Sequence, residues 1–229
     1  MKKILLTITA ALAFFTSNAQ TEAGTVFIGG GIGINAQNTK DKTGGTTTDG
    51  PKQFTFLVQP QVGFFLMDNF ALRLGVGYQN TSYKTHVTQG NNTYDVKTVT
   101  NSFGAEIGGR YYWMLNDNFG FTGELAVGVL GSKSKVTSNG TTEDGNRVNS
   151  VAVGIYPGIV YFPSEKVGIE ATFGSINSNS YLLGFASTTT TTPEQGNTPE
   201  TKTTDNSFDA GFNSLRALNF TFNYYFARK

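Results

Sequence analysis

The stretch FTFLVQPQVGFFL, residues 54–66, decides the fold. Its even-numbered residues are all apolar, whereas the odd-numbered ones include Thr55, Gln59 and Gln61. A period of two places alternate side chains on opposite faces of a β-strand. The alternation lasts thirteen residues, and a strand that crosses a bilayer needs about 9–11 residues with an apolar outer face. The stretch therefore predicts a membrane-spanning strand.

The same alternation returns seven more times along the chain. The eight predicted strands cover residues 26–34, 54–66, 72–79, 103–115, 121–129, 151–161, 167–174 and 218–226. A sheet that faces lipid cannot leave an open edge, because unpaired backbone groups are costly in hydrocarbon. The first and last strands must therefore pair, and eight strands enclose a lumen that side chains fill. The predicted fold class is all-β, an eight-stranded antiparallel up-and-down transmembrane β-barrel.

The connections between these strands are of two kinds, which alternate. Three are tight turns, at residues 67–69, 116–118 and 163–166, and four are long and polar, at residues 36–52, 85–97, 132–149 and 175–206. Short turns at one rim and long loops at the other are typical of outer-membrane barrels, in which the short turns are periplasmic and the long loops extracellular.

Aromatic residues cluster beside the tight turns. The predicted aromatic girdle comprises Phe64, Phe70, Tyr111, Trp113, Phe119, Tyr161, Tyr224 and Phe226. Their immediate neighbours Phe65, Tyr112, Phe162 and Tyr225 lie in the same clusters and are interpreted with them. Aromatic rings favour the interface between membrane and water. The alternative is a set of ordinary core aromatics in a soluble sandwich.

Five charged residues lie on the strand faces opposite the apolar ones. They are Arg73, Glu106, Arg110, Glu124 and Glu170. An outward charge at the bilayer midplane would cost roughly 2–4 kcal/mol, so these side chains are expected to point into the lumen. Inward glycines such as Gly75 and Gly108 would make room for them. Because buried ions need partners, we interpret the cluster as a structural salt-bridge plug. The alternative is a gate in a narrow conducting path.

Arg216 fits the pattern poorly. It shares parity with the outward Leu218 and Phe220. Either it reaches the outer interface, where it would meet lipid phosphate, or a bulge near Ser214 turns it inward. The pattern leaves these two placements open.

The N-terminus has the features of an export signal. Lys2 and Lys3 precede an apolar stretch at residues 4–15, and Ser17, Asn18 and Ala19 supply small residues for cleavage. The stretch is too short to span a bilayer as a helix. We therefore predict a signal peptide over residues 1–19 and one barrel domain over residues 20–229.

Composition excludes several classes of function. Charged residues make up 14%, the net charge is +1, and the chain has no cysteine and one histidine. Nucleic-acid binding, disulfides and thiolate metal sites are therefore not expected, and neither is a cofactor. His86 with Ser82, Asp95 and Ser102 is a grouping that a hydrolase would need. A solvated loop histidine is the simpler interpretation, so the chain is not expected to be an enzyme.

Three segments resemble the small outer-membrane β-barrel superfamily, the OmpA-like or OmpX-like "porin family" barrels of Gram-negative bacteria. They are NAQ at residues 18–20, FFLMDNFAL at 64–72 and NFTFNYYF at 219–226. The last is similar to the terminal aromatic signal that the barrel-assembly machinery recognises. It departs from that signal because Ala227, Arg228 and Lys229 follow the final phenylalanine.

The resemblance implies a monomer in the outer membrane of a Gram-negative bacterium. Its implied partners are outer-membrane lipids, lipopolysaccharide and the barrel-assembly machinery, with an unknown extracellular partner for the loops. A structural or surface-interaction role through those loops is the expected function, and the alternative is a narrow porin-like channel for small solutes or ions. A soluble lipid-binding calyx is disfavoured, because its interior would be apolar, whereas Gln59, Gln61 and Arg73 are expected to point inward here.

Overall fold

The computed structural model describes residues 20–43, 46–89, 92–174, 182–194, 198–211 and 218–226. They form one sheet of ten strands: β1 (Val26–Thr43), β2 (Thr46–Met67), β3 (Phe70–Gln89), β4 (Asn92–Met114), β5 (Phe119–Ser138), β6 (Thr141–Ser164), β7 (Val167–Phe173), β8 (Leu183–Thr192), β9 (Thr201–Ala210) and β10 (Leu218–Phe226). Among these residues, no helix is long and apolar enough to cross a membrane. Arg216, the last three residues and residues 1–19, for which a signal peptide was predicted, lie outside the described part of the chain.

Eight of the strands close into a ring. Each of β1 to β5 pairs antiparallel with the next strand, β6 pairs with β7, β7 with β10, and β10 with β1. The closing ladder runs from Val26 opposite Phe226 to Gly30 opposite Phe222. The predicted eight-stranded antiparallel barrel is confirmed, and tight turns join β2 to β3, β4 to β5 and β6 to β7 as expected.

The segment predicted as a long loop over residues 175–206 is not a loop throughout. β8 pairs with the upper part of β6, above the part that pairs with β7, and β9 pairs with β8. The threonine run contributes hydroxyl contacts across these ladders, at 2.9 Å between Ser150 and Thr188 and 3.0 Å between Thr189 and Thr204. Threonine is β-branched and favours strands, so a low-complexity run that has no apolar face still forms a ladder.

The other three predicted loops are also mostly strand. The ladders continue to Thr43 opposite Thr46, to Gln89 opposite Asn92 and to Ser138 opposite Thr141. The predictions of loops at residues 36–52, 85–97 and 132–149 were therefore wrong. Apolar alternation identifies only the part of a strand whose outer face is apolar. Backbone pairing continues beyond that part wherever both strands remain extended.

The distribution of apolar residues is inverted relative to a soluble protein. Ile32 is 76% exposed and Phe222 60%, whereas Arg110 is 3% exposed and Glu124 2%. An apolar outer surface of this extent marks an interaction with protein or membrane. The buried charges are the opposite of what the apolar interior of a lipid-binding calyx requires.

Candidate functional site

The lumen holds the five charged residues that were predicted to point inward. Arg73 lies on β3, Glu106 and Arg110 on β4, Glu124 on β5 and Glu170 on β7. All are buried except Glu106, whose side chain is 21% exposed. The structure therefore brings side chains from four strands into one cluster, which we call the lumen plug.

Glu124 is the centre of the lumen plug. Its carboxylate accepts hydrogen bonds from Arg73 Nε at 2.9 and 3.1 Å, and from Arg110 Nε at 2.7 Å. Arg73 Nη2 also contacts Glu124, and Arg110 Nη2 lies 2.5 Å from Glu124 Oε2. One carboxylate thus joins two guanidinium groups, and each guanidinium binds it through two nitrogens.

The remaining guanidinium nitrogens have partners on both sides. Arg73 Nη1 lies 2.7 Å from Glu106 Oε1, and Arg110 Nη1 contacts Glu170 Oε2. Charged groups in a low-dielectric interior need such partners to offset lost hydration. Two arginines face three carboxylates, so the formal charge of the lumen plug is 2 − 3 = −1.

Neutral polar groups extend the network across the lumen. Arg73 Nη1 donates to Gln61 Oε1 at 3.2 Å, and Gln61 Nε2 donates to Asn223 Oδ1 at 2.7 Å. On the other side, Glu170 Oε1 accepts from Tyr112 at 2.8 Å and from Tyr225 at 3.0 Å. Hydrogen bonds therefore connect β2 with β10 through the interior.

Two glycines make space for the lumen plug, as the sequence predicted. A Cβ at Gly108 would lie 2.5 Å from Glu124 Oε1 and 2.9 Å from the Cβ of Ala126. A Cβ at Gly75 would lie 2.8 Å from Arg73 Nη1. Larger residues at these positions would occupy the volume of the charged side chains.

Beneath the lumen plug, toward the tight turns, lies a layer of buried aromatic rings. This aromatic floor comprises Phe27, Phe65, Tyr112, Phe162 and Tyr225, each at most 1% exposed. Ring centroids are 5.2 Å apart for three of its pairs, Phe27 with Tyr225, Phe65 with Tyr112 and Phe162 with Tyr225. The two tyrosines hold the floor to Glu170, so the two layers form one packed unit.

The backbone at the tight-turn end reinforces this closure. Asn69 N donates to Thr21 O at 2.7 Å, and Gly24 N donates to Phe65 O at 2.8 Å. Tyr225 N donates to the carbonyl of Lys166 at 2.8 Å. The segment before β1 and the turn after β6 are thereby fixed beneath the aromatic floor.

A small cavity lies on the other side of the lumen plug. Its volume is about 60 Å³, and its lining includes Gln59, Glu106, Tyr156, Thr172 and Thr221. A cavity of this size and polarity holds a few waters at most. Glu106, the partly exposed member of the plug, faces it.

The eight residues of the predicted girdle lie on the outer surface at the tight-turn end. Phe64, Tyr111, Trp113, Tyr161, Tyr224 and Phe226 are exposed, and Phe70 and Phe119 are half-buried. Their neighbours Phe65, Tyr112, Phe162 and Tyr225 point inward instead, so their inclusion with the girdle was wrong. Each pair is a doublet of consecutive residues, and strand alternation requires one ring of every doublet to face the lumen.

The residues considered for catalysis are only partly brought together. His86 Nδ1 donates to Asp95 Oδ1 at 2.6 Å, on the exposed outer face of the β3–β4 ladder. Ser82 lies four residues away on the same strand, about 13 Å along it at the usual rise per residue. Ser102 lies on the opposite face of β4. Within the described ranges, no group of acidic or histidine side chains has the geometry to hold a metal ion.

Comparison with known proteins places this architecture in context. Residues 18–174 match the family described as "Outer membrane protein beta-barrel domain". Comparison with curated protein sequences gave no match. OprG, an outer membrane protein from Pseudomonas aeruginosa, has a TM-score of 0.51 at 14% identity, covering 92% of this chain and 100% of that one. Ail, the attachment invasion locus protein of Yersinia pestis, has a TM-score of 0.37 at 14% identity, covering 89% of this chain and 99% of its own.

Proposed function

The chain belongs to the outer membrane protein beta-barrel domain family, and from this premise we propose that it is an integral outer-membrane protein with a closed lumen. The protein has a structural role or mediates interactions at the cell surface, and it is not an enzyme. A signal peptide exports it to the outer membrane of a Gram-negative bacterium, where the barrel-assembly machinery inserts it as a monomer.

The observation that supports a closed lumen is the continuity of the two filled layers. Glu124 joins both arginines, and Glu170 joins Arg110 to Tyr112 and Tyr225 in the aromatic floor. An eight-stranded barrel leaves room for little more than its own side chains. A permeating ion would have to separate several charge-assisted hydrogen bonds and then pass a layer of packed rings.

The long ladders support a role in surface interaction. β1 to β6 continue well beyond the apolar alternation, and their upper parts carry Thr, Asn and Lys. Paired strands hold these side chains in fixed positions, which an unstructured loop would not do. A partner would therefore meet an ordered surface outside the membrane.

A narrow channel is the second candidate, and one observation favours it. The cavity of about 60 Å³ reaches Glu106, the partly exposed member of a plug whose formal charge is −1. A cation that entered from the open side would meet this carboxylate first. Passage would then require Arg73 and Arg110 to move away from Glu124.

Planar-bilayer recording of the refolded protein tests the choice. We expect no steady openings from the wild type under conditions in which a known porin conducts. Steady openings of the wild type would contradict the closed lumen. The channel would be favoured if Glu124→Gln changed the conductance of these openings and the outward Leu125→Ala left it unchanged. Leu125 is the matched control because it lies next to Glu124 on β5 and is exposed.

A further inference from the structure

Two asparagines have left-handed backbones, and both lie in hairpin turns. Asn69 has a φ of 63° in the turn between β2 and β3, and Asn139 has a φ of 49° in the turn between β5 and β6. In the part of the chain that the structure describes, no other residue except glycine has a positive φ. Asparagine tolerates this region better than most residues. The two turns can therefore be compared directly.

The turn at Asn139 joins β5 to β6 through two residues. Ser138 is opposite Thr141 in the ladder, so Asn139 and Gly140 form the whole connection. Gly140 also has a positive φ, 79°, and two left-handed residues define a type I′ hairpin turn. Both residues are exposed, and a Cβ at Gly140 would have no neighbour within 4 Å. The turn is therefore accessible to water.

The peptide group between Asn139 and Gly140 is free to rotate. Among the described residues, neither the carbonyl of Asn139 nor the N–H of Gly140 forms a backbone hydrogen bond outside the ladders. Rotation of this group converts a type I′ turn into a type II′ turn, and the ψ of the first central residue changes from about +30° to about −120°. Glycine adopts the second position of either turn without strain. The strands need not separate for this change.

The rotation brings the backbone nitrogen of Gly140 toward Cγ of the Asn139 side chain. Attack of this nitrogen on Cγ forms an N–Cγ bond and breaks the bond between Cγ and Nδ2. The side-chain nitrogen takes the proton of the Gly140 N–H and leaves as ammonia. The resulting five-membered succinimide then adds one water and opens at either of its carbonyl carbons. The products are aspartate or isoaspartate at position 139, and water is the only reagent consumed.

Asn69 is held at the points where Asn139 is free. Its carbonyl accepts a hydrogen bond from the N–H of Tyr112 at 2.8 Å, and its own N–H donates to the carbonyl of Thr21 at 2.7 Å. Its side-chain Oδ1 accepts a hydrogen bond from Thr21 Oγ1, also at 2.7 Å. The peptide group after Asn69 therefore cannot rotate without breaking the bond to Tyr112. Asn69 is expected to remain unmodified in the folded protein.

We propose that Asn139 is a site of spontaneous covalent modification, at which water converts the asparagine to aspartate and isoaspartate through a succinimide. Both products add one negative charge to the upper part of the barrel. Isoaspartate also adds one carbon to the main chain of a two-residue turn, and the length of such a turn fixes the register of its strands. The modification therefore loosens the upper end of the β5–β6 ladder. The inference is independent of whether the lumen is closed.

The test uses the full chain, refolded in detergent and kept in a mildly alkaline buffer, followed by tryptic digestion and mass spectrometry. Trypsin releases residues 136–147, which contain Asn139, and residues 53–73, which contain Asn69. We expect fragment masses to place an exchange of NH2 for OH at Asn139 and no exchange at Asn69. The rate at Asn139 is expected to be within about tenfold of that in the isolated peptide, because the ends of ladders open with free energies near zero.

Asn139→Gly is the matched control. Glycine accepts the positive φ of the turn but has no carboxamide, so this variant should show no exchange in residues 136–147. After equal incubation, amide hydrogen exchange in the upper β5–β6 ladder should be faster in the wild type than in Asn139→Gly. Heat-modifiable gel migration of both chains shows that they are folded at the start of the incubation.

Three results would overturn the proposal. One is an exchange at Asn139 more than about tenfold slower in the folded chain than in the isolated peptide, which would mean that the turn protects the residue. Another is equal exchange at Asn69 and Asn139 in the folded chain, which would remove the structural distinction between the two turns. The third is equal amide hydrogen exchange of the wild type and Asn139→Gly after incubation, which would mean that the modification leaves the ladder intact.

Discussion

The lower and upper parts of the barrel are ordered by different forces. In the lower part, the lumen plug and the aromatic floor are buried, and their order depends on charge pairing and ring packing. In the upper part, β8 and β9 are joined mainly by backbone pairing, and every residue of β9 is exposed. The lower part therefore provides most of the stability of the barrel, and the upper part provides its exposed polar surface. Matched substitutions in the two parts should separate these roles.

The largest effect is expected from Glu124→Ala. It leaves Arg73 and Arg110 buried without their shared carboxylate, and removal of one partner from a buried ion pair costs about 3–5 kcal/mol. Urea unfolding in lipid, followed by gel migration without boiling, measures the loss. Glu143→Ala in the exposed upper part of β6 is the control, with a change within about 0.5 kcal/mol. Equal midpoints for the two variants would argue against the lumen plug.

Gly108→Ala should have the next largest effect. The added methyl group would overlap Glu124 and Ala126, and such overpacking typically costs about 1–3 kcal/mol. Gly123→Ala is the control, since a Cβ at Gly123 has no neighbour within 4 Å. The two substitutions are chemically identical, so a difference in unfolding midpoint reports the space around each residue. A larger loss at Gly123 would contradict the packing described.

Tyr225→Phe should have a smaller effect. It removes the hydroxyl that donates to Glu170 at 3.0 Å, and a hydrogen bond to a charged group contributes about 1.5–3 kcal/mol. Tyr112 still donates to the same oxygen, which places the expected loss at the lower end. Tyr224→Phe, on the outward side of the same doublet, is expected to change the unfolding midpoint little. A larger loss of stability with Tyr224→Phe than with Tyr225→Phe would mean that Tyr224, and not Tyr225, faces the lumen.

The smallest effect is expected in the upper part, from Thr204→Ala. This change removes one exposed hydroxyl contact with Thr189, and surface substitutions usually stay within about 0.5 kcal/mol. Hydrogen exchange should nevertheless show faster amide exchange in β9 than in the lower half of β4, because local opening is easier where few side chains are buried. Equal protection of the two segments would remove the distinction between the two parts.

Strand alternation was sufficient to predict the ring and the inward direction of Arg73, Arg110 and Glu124. The same alternation was sufficient to predict the aromatic floor, because each aromatic doublet, such as Phe64-Phe65, must place one of its rings inside. The sequence could not indicate that Arg73 binds Glu124 across the lumen, since that contact depends on barrel geometry as well as parity. It could not separate ladder from loop above the apolar band, because Thr and Asn alternate with no apolar signal there.

Sequence analysis also missed a row of three exposed lysines across β2, β3 and β4, for a related reason. Lys52, Lys84 and Lys97 are far apart in sequence, and each is unremarkable in a polar segment. Only the pairing registers of β2, β3 and β4 place them side by side. A long-range register therefore places these lysines side by side, whereas local alternation places the charges of the lumen plug on the inward face.

Spin labels on single cysteines along β5 would test the central claim most directly, because the chain has no native cysteine. In bilayers, labels at the outward Phe121, Leu125 and Val127 should collide often with oxygen, which concentrates in lipid. Labels at the inward Thr122 and Ala126 should be reached neither by oxygen nor by a water-soluble nickel complex. Free access of the nickel complex to the inward positions would contradict a closed, side-chain-filled barrel.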